Sequence, residues 1–277
     1  MVQIGKYNTL KVVKEVEFGL YLDGGEEHGE ILLPIRYVPE ETKVDDELEV
    51  FIYLDSEDRI IATTEKPFAT VGEFAFLQVN AVTQIGAFLD WGLMKDLLVP
   101  FREQKMKMQE GKYYPVYIYL DDESQRIVAT AKLEPVLDNV IPDYTVGQEV
   151  EMFVVERTEL GYKVVINNLH SGLIYHNEMF RDVRIGDRCP GFIKKVREDD
   201  KIDANLHKQG FEKMDDLSTK VLDLLKTRGG FLAVSDKSPA ELIYQVFGMS
   251  KKNFKKAIGS LYKQRIITIE KEGIRIV

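Results

Sequence analysis

Cysteine is nearly absent from this sequence, since Cys189 is the only one among 277 residues. A single cysteine excludes an internal disulfide, and we therefore expect a protein of the reducing cytoplasm. No apolar run reaches the ~18 residues that a membrane-spanning helix needs, so we expect no membrane partner. The first residues also lack the basic start and apolar core of a signal peptide, which fits the same compartment.

The motifs of common enzyme classes are missing as well. The sequence contains no phosphate-binding loop with its lysine, no HExxH zinc motif and no GxSxG nucleophile motif. The paired carboxylates of Asp121 and Asp122 lie in a turn-forming stretch, where turn propensity explains them. The histidines are scattered and offer no ligand cluster: His28, His170, His176 and His207. We therefore predict a protein with no catalytic residues, no metal and no cofactor.

Positive charge is scarce overall and uneven along the chain. The formal net charge is −9, which at first argues against a nucleic-acid partner. Residues 1–66 hold 7 Lys/Arg and 16 Asp/Glu, whereas residues 210–277 hold 13 Lys/Arg and 8 Asp/Glu. Because a polyanion responds to the local distribution of charge, the basic C-terminal part still suits phosphate groups.

A threefold internal repeat is the main feature that the sequence does contain. Each copy carries a glycine inside a strand-like run, and these marker glycines are Gly19, Gly86 and Gly161. Each copy also has about five β-rich runs and one acidic turn (DSED, DDESQ or REDDK). Five short strands in ~65 residues predict a closed barrel of the OB type. We expect the strand that carries the glycine to bend sharply where the cylinder closes.

After the third copy, the apolar residues change to a helical period. They recur at helical spacing in MDDLSTKVLDLLKT, SPAELIYQVF and SKKNFKKAIGSLYK. Ser238, Pro239 and Glu241 predict a capping box at the start of the second helix, and Gly248 predicts its end. RIITIEKEGIRIV alternates like a two-stranded hairpin, with Gly273 at a left-handed turn position. Three helices and a hairpin predict a winged helix-turn-helix.

The predicted protein is therefore multi-domain and mainly β, with a small α+β tail. Three tandem five-stranded OB-fold barrels are expected at residues 1–66, 67–133 and 145–209, and a winged-helix domain at residues 211–277. Prolines cluster in EKPFATVG and LEPVLDNVIPDYTVG, which marks these segments as linkers.

Several strings resemble known families. IGAFLD looks like the glycine–x–phenylalanine strand of the S-one RNA-binding domain, an OB-fold repeat named after a ribosomal protein. The order of three barrels and a winged helix, with SGLIYHNEMF, REDDKIDANL and MSKKNFKKAIGSLYKQRIITIEKEGIRI, resembles the bacterial conserved virulence factor B family over essentially the full length. This resemblance implies a non-enzymatic, regulatory RNA-binding protein.

Aromatic residues on the barrels are the first candidates for an RNA contact. The second and third strands of an OB barrel display side chains outward, where rings stack on bases. The candidate rings are Phe18, Tyr21, Phe88, Tyr162 and Tyr175. In the third copy the resemblance implies a phosphate contact for Lys163, a core-facing Tyr162, and stacking by Tyr175 and His176. The alternative is that each ring belongs to a barrel core or closes a barrel mouth.

Basic residues complete the predicted interface, because a single strand needs cations for its phosphates. In the third barrel the candidates are Arg181, Lys194 and Lys195. On the third tail helix, which has no acidic residue, they are Lys251, Lys252, Lys255 and Lys256. We expect phosphate contacts to single-stranded RNA with weak sequence preference. The alternative is an ordinary solvated surface in both places.

Two other functions remain open from the sequence. The acidic first barrel fits a protein-interaction scaffold that docks basic proteins of the ribosome or the transcription machinery. The winged helix by itself fits a regulator that binds duplex DNA. A competition between single-stranded RNA, single-stranded DNA and duplex DNA separates the nucleic-acid hypotheses.

Overall fold

The computed structural model describes residues 1–176, 183–206 and 212–277 except 264, 265 and 271, with side chains from residue 217 onward in the first tail helix. Three closed five-stranded barrels are followed by a small C-terminal helical domain, which confirms the predicted fold class. The barrels arise from strands that turn one set of side chains into a core, because successive side chains of a strand point to opposite faces.

The first barrel places one face of each strand in its core. Its strands are β1 Tyr7–Val16, β2 Gly19–Asp23, β3 Glu30–Pro34, β4 Glu47–Leu54 and β5 Ile60–Thr63, with the short helix α1 Gly25–His28 after β2. They close in the order β1-β2-β3-β5-β4, with β3 and β5 parallel. Leu20 and Leu22 of β2 point into the core beside Ile31 and Leu33 of β3. This strand order is that of an OB-type barrel.

The second and third barrels repeat this topology. The second consists of β6 Phe74–Val82, β7 Gly86–Asp90, β8 Leu97–Pro100, β9 Tyr113–Leu120 and β10 Ile127–Thr130. The third consists of β11 Glu149–Arg157, β12 Gly161–Ile166, β13 His170–Tyr175, β14 Arg188–Val196 and β15 Ile202–Asn205. In both, the fifth strand lies between the third and the fourth, as in the first barrel. The repeats seen in the sequence are therefore repeats of one fold.

Each barrel has an irregularity at the same point of its first strand. The pairing register with the second strand shifts after Val12, Val79 and Val154, seven residues before the marker glycine of the barrel. An extra residue of this kind is a β-bulge, which bends the strand that contains it. The irregularity therefore lies on the partner of the glycine-bearing strand.

The marker glycines instead permit a close approach between two backbones. A Cβ atom on any of them would collide with a carbonyl oxygen of the third strand, which belongs to Leu33, Val99 or Ile174. Only glycine lets the second and third strands approach so closely at this point. The same contact in three barrels explains why this residue recurs when most other letters change.

The first two barrels share an apolar joint. Phe51 of β4 is fully buried, and its ring meets the Trp91 ring edge-on with centroids 5.8 Å apart. The Lys95 ammonium donates a hydrogen bond to the Asp55 carbonyl at 2.5 Å and lies 3.6 Å from the Asp58 carboxylate. Since Phe51 packs within the core cluster of the second barrel, the joint is part of a hydrophobic core.

A second joint connects the second and third barrels. Its apolar residues come from β6, β11, β12 and the segment between the barrels: Phe74, Leu133, Leu137, Phe153 and Val165. All are buried, so removing them from water stabilises this pair of barrels as a unit. The proline-rich segment LEPVLDNVIPDYTVG thus contributes leucines to a core in addition to connecting two domains.

The C-terminal domain is a winged helix. Its elements are α2 Glu212–Thr227, β16 Phe231–Leu232, α3 Ala240–Phe247, α4 Lys251–Lys263, β17 Ile267–Ile269 and β18 Ile274–Ile276. The strands form a sheet in the order β16-β18-β17, so the predicted hairpin gains a third strand. Its core contains Phe254, Ile258 and Leu261 of α4, packed with Ile243 and Phe247 of α3.

Two local predictions in this domain are wrong and one is confirmed. Pro239 is the N-cap of α3 and no side chain caps the helix, because the Ser238 hydroxyl accepts a hydrogen bond from the preceding turn. Gly273 does not have a positive φ, and a Cβ there would collide with the Leu232 carbonyl oxygen. Gly248 ends α3 in the left-handed conformation with φ 64°, as predicted.

We predict that Gly86→Ala destabilises the protein by about 3 kcal/mol, because the Val99 carbonyl must move away from the new methyl group. Urea unfolding followed by circular dichroism measures the shift. The control is Gly111→Ala, since Gly111 has φ +76° but no atom within 4 Å of a Cβ, and only backbone strain of about 1 kcal/mol is added there. Equal shifts for the two variants would contradict the close-approach argument.

Candidate nucleic-acid interface

One end of every barrel displays two neighbouring exposed side chains. The residue before the marker glycine is exposed in all three barrels: it is Phe18 (56% exposed), Ile85 (60%) or Leu160 (64%). Its carbonyl oxygen accepts a hydrogen bond, at 2.9, 3.3 and 3.2 Å, from the N–H of the exposed residue after the third strand: Ile35, Phe101 and His176. We call these the barrel-end pairs. An exposed apolar surface beside a backbone turn suits a flat partner such as a nucleic-acid base.

Sequence reasoning identified two members of the barrel-end pairs, Phe18 and His176, and missed the rest. The missed residues are Ile35, Ile85, Phe101 and Leu160. A signal was present, because an apolar residue precedes the marker glycine in all three copies. Aliphatic residues in strand-like runs are usually core residues, and only the structure shows that these ones face solvent.

The first barrel brings two of the predicted rings together. Phe18 and Tyr21 meet edge-on with ring centroids 6.3 Å apart, and Tyr21 is half-buried on the outer face of β2. The Lys14 ammonium lies 5.0 Å from the Tyr21 ring centroid and 3.6 Å from the Glu30 carboxylate. A base can stack on such a ring pair while the nearby cation attracts its phosphate, although Glu30 neutralises part of the positive charge.

Phe88 of the second barrel lies on the outer face of β7. Its neighbours Ala87 and Leu89 are buried in the core, so the alternation of the strand turns Phe88 outward, where it is half-buried. It is paired with Leu98 of the next strand and lies two residues from the marker glycine. The ring is therefore not a core residue.

The third barrel brings Tyr162 and His176 together at its end. Their rings meet edge-on with centroids 5.5 Å apart, and the exposed His176 ring lies 3.0 Å from the Thr158 carbonyl oxygen. Tyr162 is half-buried and lies on the same face of β12 as the buried Val164. Tyr175 is also half-buried, and its hydroxyl oxygen accepts a hydrogen bond from the Arg197 guanidinium. These three rings lie at or beside the third barrel-end pair.

Lys163 lies in a cluster of four alternating charges. Its ammonium is 3.4 Å from the Glu156 carboxylate and 4.0 Å from that of Glu134. The Lys105 ammonium lies 3.1 and 3.2 Å from the same two carboxylates. We call these residues the four-charge cluster. A phosphate that approaches Lys163 competes with two carboxylates, so the predicted contact gains less from this lysine than from an unpaired one.

The cluster holds its groups in their charged forms. A backbone hydrogen bond and the two ammonium groups hold the pKa of Glu134 below its usual value. Burial acts to raise the pKa of Glu156, but the Lys105 hydrogen bond and both ammonium charges outweigh it and lower this pKa as well. The hydrogen bond to Glu156 in turn raises the pKa of Lys105. The four charges therefore stabilise one another at neutral pH.

Arg188 of β14 serves the contacts of the second joint. The Arg188 guanidinium donates hydrogen bonds to the Phe74 carbonyl oxygen and to the Glu151 carboxylate. It also lies over the Phe153 ring, 4.8 Å from its centroid. Because this side chain is held by three groups around the second joint, it is a structural residue of that joint.

The remaining predicted cations of the third barrel differ in their environment. Lys194 is half-buried and already has a partner. Lys195 is exposed, and within the described residues it forms no hydrogen bond or ion pair. Arg181 lies outside the described residues. Lys195 is therefore the candidate of this barrel with an available charge.

The exposed side of α4 carries four lysines and no acidic residue. The helix buries Phe254, Ala257, Ile258 and Leu261. The opposite side, which we call the α4 face, consists of Lys252, Lys255, Lys256, Gly259, Tyr262 and Lys263. None of its four lysines has a hydrogen bond or ion pair among the described residues. Lys251 differs, because its ammonium donates to the Ser238 carbonyl at 2.8 Å and so connects the start of α4 to the turn before α3.

Comparison with known proteins assigns the first two barrels and the winged helix to domain families. An S1-domain model matches residues 4–65 and again residues 71–132, and a CvfB-like winged-helix model matches residues 219–276. Conserved virulence factor B of Staphylococcus aureus (strain USA300) is 30% identical over 239 residues, which cover 82% of this chain and 80% of the relative. The chain belongs to the conserved virulence factor B family. The matched ranges follow one another in the same order as the first two barrels and the winged helix described above.

Two further relatives extend the comparison. YitL of Bacillus subtilis (strain 168) is 29% identical over 94% of this chain and 89% of its own length. A crystal structure from Streptococcus pneumoniae, of a multidomain protein with nucleic acid binding domains, is 22% identical and aligns over 99% of this chain and 98% of its own, with a TM-score of 0.42.

The matched domains indicate nucleic-acid binding. S1 and winged-helix domains are nucleic-acid-binding domain classes and are not enzyme families. Within the described residues, no three or more His, Cys, Asp or Glu side chains are grouped so that they could hold a metal ion. None of the helices in the described part of the chain has the length and apolar character that crossing a membrane requires.

We predict that the four-charge cluster makes the stability of the protein depend on pH. The pKa values of Glu134 and Glu156 are lower in the folded protein than their usual value of 4.5. Their contribution is therefore present at neutral pH and is lost as the pH falls below 4.5 through the folded values. Urea midpoints measured from neutral to acid pH will fall more steeply for the native protein than for Glu156→Gln.

The control is Glu159→Gln, because Glu159 is exposed and forms no ion pair among the described residues. Its pH profile is expected to match that of the native protein. Parallel profiles for Glu156→Gln and Glu159→Gln would show that the cluster does not stabilise the fold.

Proposed function

We propose that this protein is a non-enzymatic, cytoplasmic regulator that binds single-stranded RNA through its barrels and its winged helix. Residues 1–66, 67–133 and 145–209 act as three barrel modules and residues 211–277 as the winged-helix module. The observation that carries the proposal is the α4 face, on which four exposed lysines have no partner within the described residues and the helix holds no acidic residue.

The electrostatic argument rests on local charge. The chain as a whole has a net charge of −9, so a polyanion is repelled by most of its surface. On the α4 face, lysines that lie side by side release condensed counterions when they meet phosphates, and this release is the main source of non-specific affinity. The acidic first barrel contributes little to this term, since residues 1–66 carry 16 Asp/Glu against 7 Lys/Arg.

The barrels favour a single strand over a duplex. Exposed apolar residues in the barrel-end pairs, together with Tyr21, Phe88 and Tyr175, offer surfaces on which unpaired bases stack. A duplex keeps its bases stacked on each other and cannot use these surfaces. Lysines contact phosphates and do not read base edges, so the sequence preference is weak.

Neutralising part of the α4 face is the main test. We expect the triple change of Lys252, Lys255 and Lys256 to glutamine to weaken binding of a labelled single-stranded RNA by about tenfold or more. Fluorescence anisotropy at several salt concentrations gives the slope of log affinity against log salt, which is negative. We expect this slope to become shallower by about 2, because each lost phosphate contact on a single strand removes ~0.7.

The control is the triple change of Lys220, Lys226 and Lys237 to glutamine, because these exposed lysines lie elsewhere in the winged helix. Equal losses in the two triple variants mean that only overall charge matters and remove the α4 face from the proposal. Unlabelled single-stranded DNA and duplex DNA, used as competitors, complete the test. Stronger competition by duplex DNA than by RNA would overturn the assignment of single-stranded RNA.

Base stacking on the barrel-end pairs has its own test. We expect Phe101→Ala to weaken RNA binding by about tenfold, since stacking contributes ~1–3 kcal/mol per base. Phe68→Ala is the control, because Phe68 is 67% exposed but lies outside the barrel-end pairs, whereas Phe101 is 44% exposed within one. Both variants should keep the native urea midpoint. An equal loss of affinity in both would argue against a defined stacking surface.

A further inference from the structure

Gly259 occupies the centre of the α4 face. It lies four residues after Lys255 and four before Lys263, so these three positions form one stripe along the helix. Lys256 and Tyr262 lie three residues away on either side and flank the stripe. The position is opposite the buried residues of α4, where the helix is farthest from the core.

Neither packing nor backbone conformation requires glycine at this position. A Cβ built on Gly259 has no atom within 4 Å, so no neighbour in the described structure excludes a side chain. The residue is helical and does not have a positive φ. Glycine inside a helix costs stability relative to alanine, because its backbone loses more freedom on folding. The chain thus has a destabilising residue on a surface where alanine fits.

The lysines of this helix are a second unfavourable feature. Lys251 and Lys255, and likewise Lys252 and Lys256, are like charges four residues apart, an arrangement that destabilises an isolated helix. No acidic residue of α4 offsets them. Both features, the lysine pairs and Gly259, become favourable when a polyanion lies along this face, because it neutralises the charges and needs room at the backbone.

We propose that a backbone phosphate of the bound RNA lies against the helix at Gly259. The missing side chain lets the sugar–phosphate backbone lie directly against the helix, with the Lys255, Lys256 and Lys263 ammonium groups around it. The Tyr262 ring, which is 55% exposed, stacks on the base next to this phosphate. The inference rests on the proposed RNA binding and adds a close contact to it.

A close contact and a diffuse field of charge respond in opposite ways to one substitution. Gly259→Lys adds a fifth unpaired lysine at the centre of the face. If only diffuse charge matters, this variant binds RNA more tightly than the native protein. If a phosphate lies against Gly259, the new side chain occupies its place and the variant binds more weakly.

The experiment measures RNA affinity and thermal unfolding of the full chain for Gly259→Ala and Gly259→Lys. We expect Gly259→Ala to raise the melting temperature of the winged helix by about 3 °C and yet to weaken binding of a labelled single-stranded RNA by about threefold. Gly259→Lys is expected to weaken binding by about tenfold. A loss of affinity in a more stable protein cannot come from unfolding.

The control Thr219→Lys adds the same charge on an exposed position of α2, outside the α4 face, and is expected to bind at least as tightly as the native protein. Tyr262→Phe should keep the native affinity and Tyr262→Leu should lose about tenfold, since only the first retains a ring. If Gly259→Ala and Gly259→Lys bind RNA as tightly as the native protein or more tightly, the phosphate contact at Gly259 is overturned while the proposed RNA binding stands. Failure of the native protein to bind RNA overturns both.

Discussion

The contact between the second and third strands at each marker glycine is the constraint on which the barrels depend. There a carbonyl oxygen of the third strand occupies the space of a side chain, so only glycine permits the strands to approach. The carbonyl of the preceding residue then accepts a hydrogen bond from the residue that follows the third strand. The contact that brings the two strands together therefore also positions the barrel-end pairs. It recurs in all three barrels, in each of which the register shift of the first strand lies at the same distance along the chain from the glycine.

The joints between barrels determine which charges are available for a ligand. Arg188 is held by Phe74, Phe153 and Glu151, and Lys163 shares two carboxylates with Lys105. These cations stabilise contacts between modules, and a buried or paired cation gains little from a further anion. The α4 face is different, since its lysines have no competing partner in the described part of the chain. Its lysine pairs and its glycine both reduce helix stability, which is the kind of local conflict that functional surfaces show.

Some of the candidate site followed from residue type and period alone. Phe88 lies on the outer face because Ala87 and Leu89 alternate with it into the core, and the lysines of α4 lie opposite Phe254 and Ile258 at helical spacing. Other parts depended on atoms distant in the sequence. The partners of Lys163 are Glu134 and Glu156, and no spacing rule brings a linker residue to a strand residue. Ile85 and Leu160 are aliphatic residues of strand-like runs, and only the structure shows that they lie at solvent-facing turns.

The sequence by itself determined the three barrels, the winged helix and the uneven distribution of charge, because alternation, helical period and composition are local properties of the chain. Only the tertiary structure decided where the bulge of each barrel lies, why Gly273 is glycine, and which cations are already paired. These features depend on distances between segments far apart in the chain, such as Gly273 to Leu232 and Arg188 to Phe74. Such distances are set by packing, and packing is not encoded in any short stretch of residues.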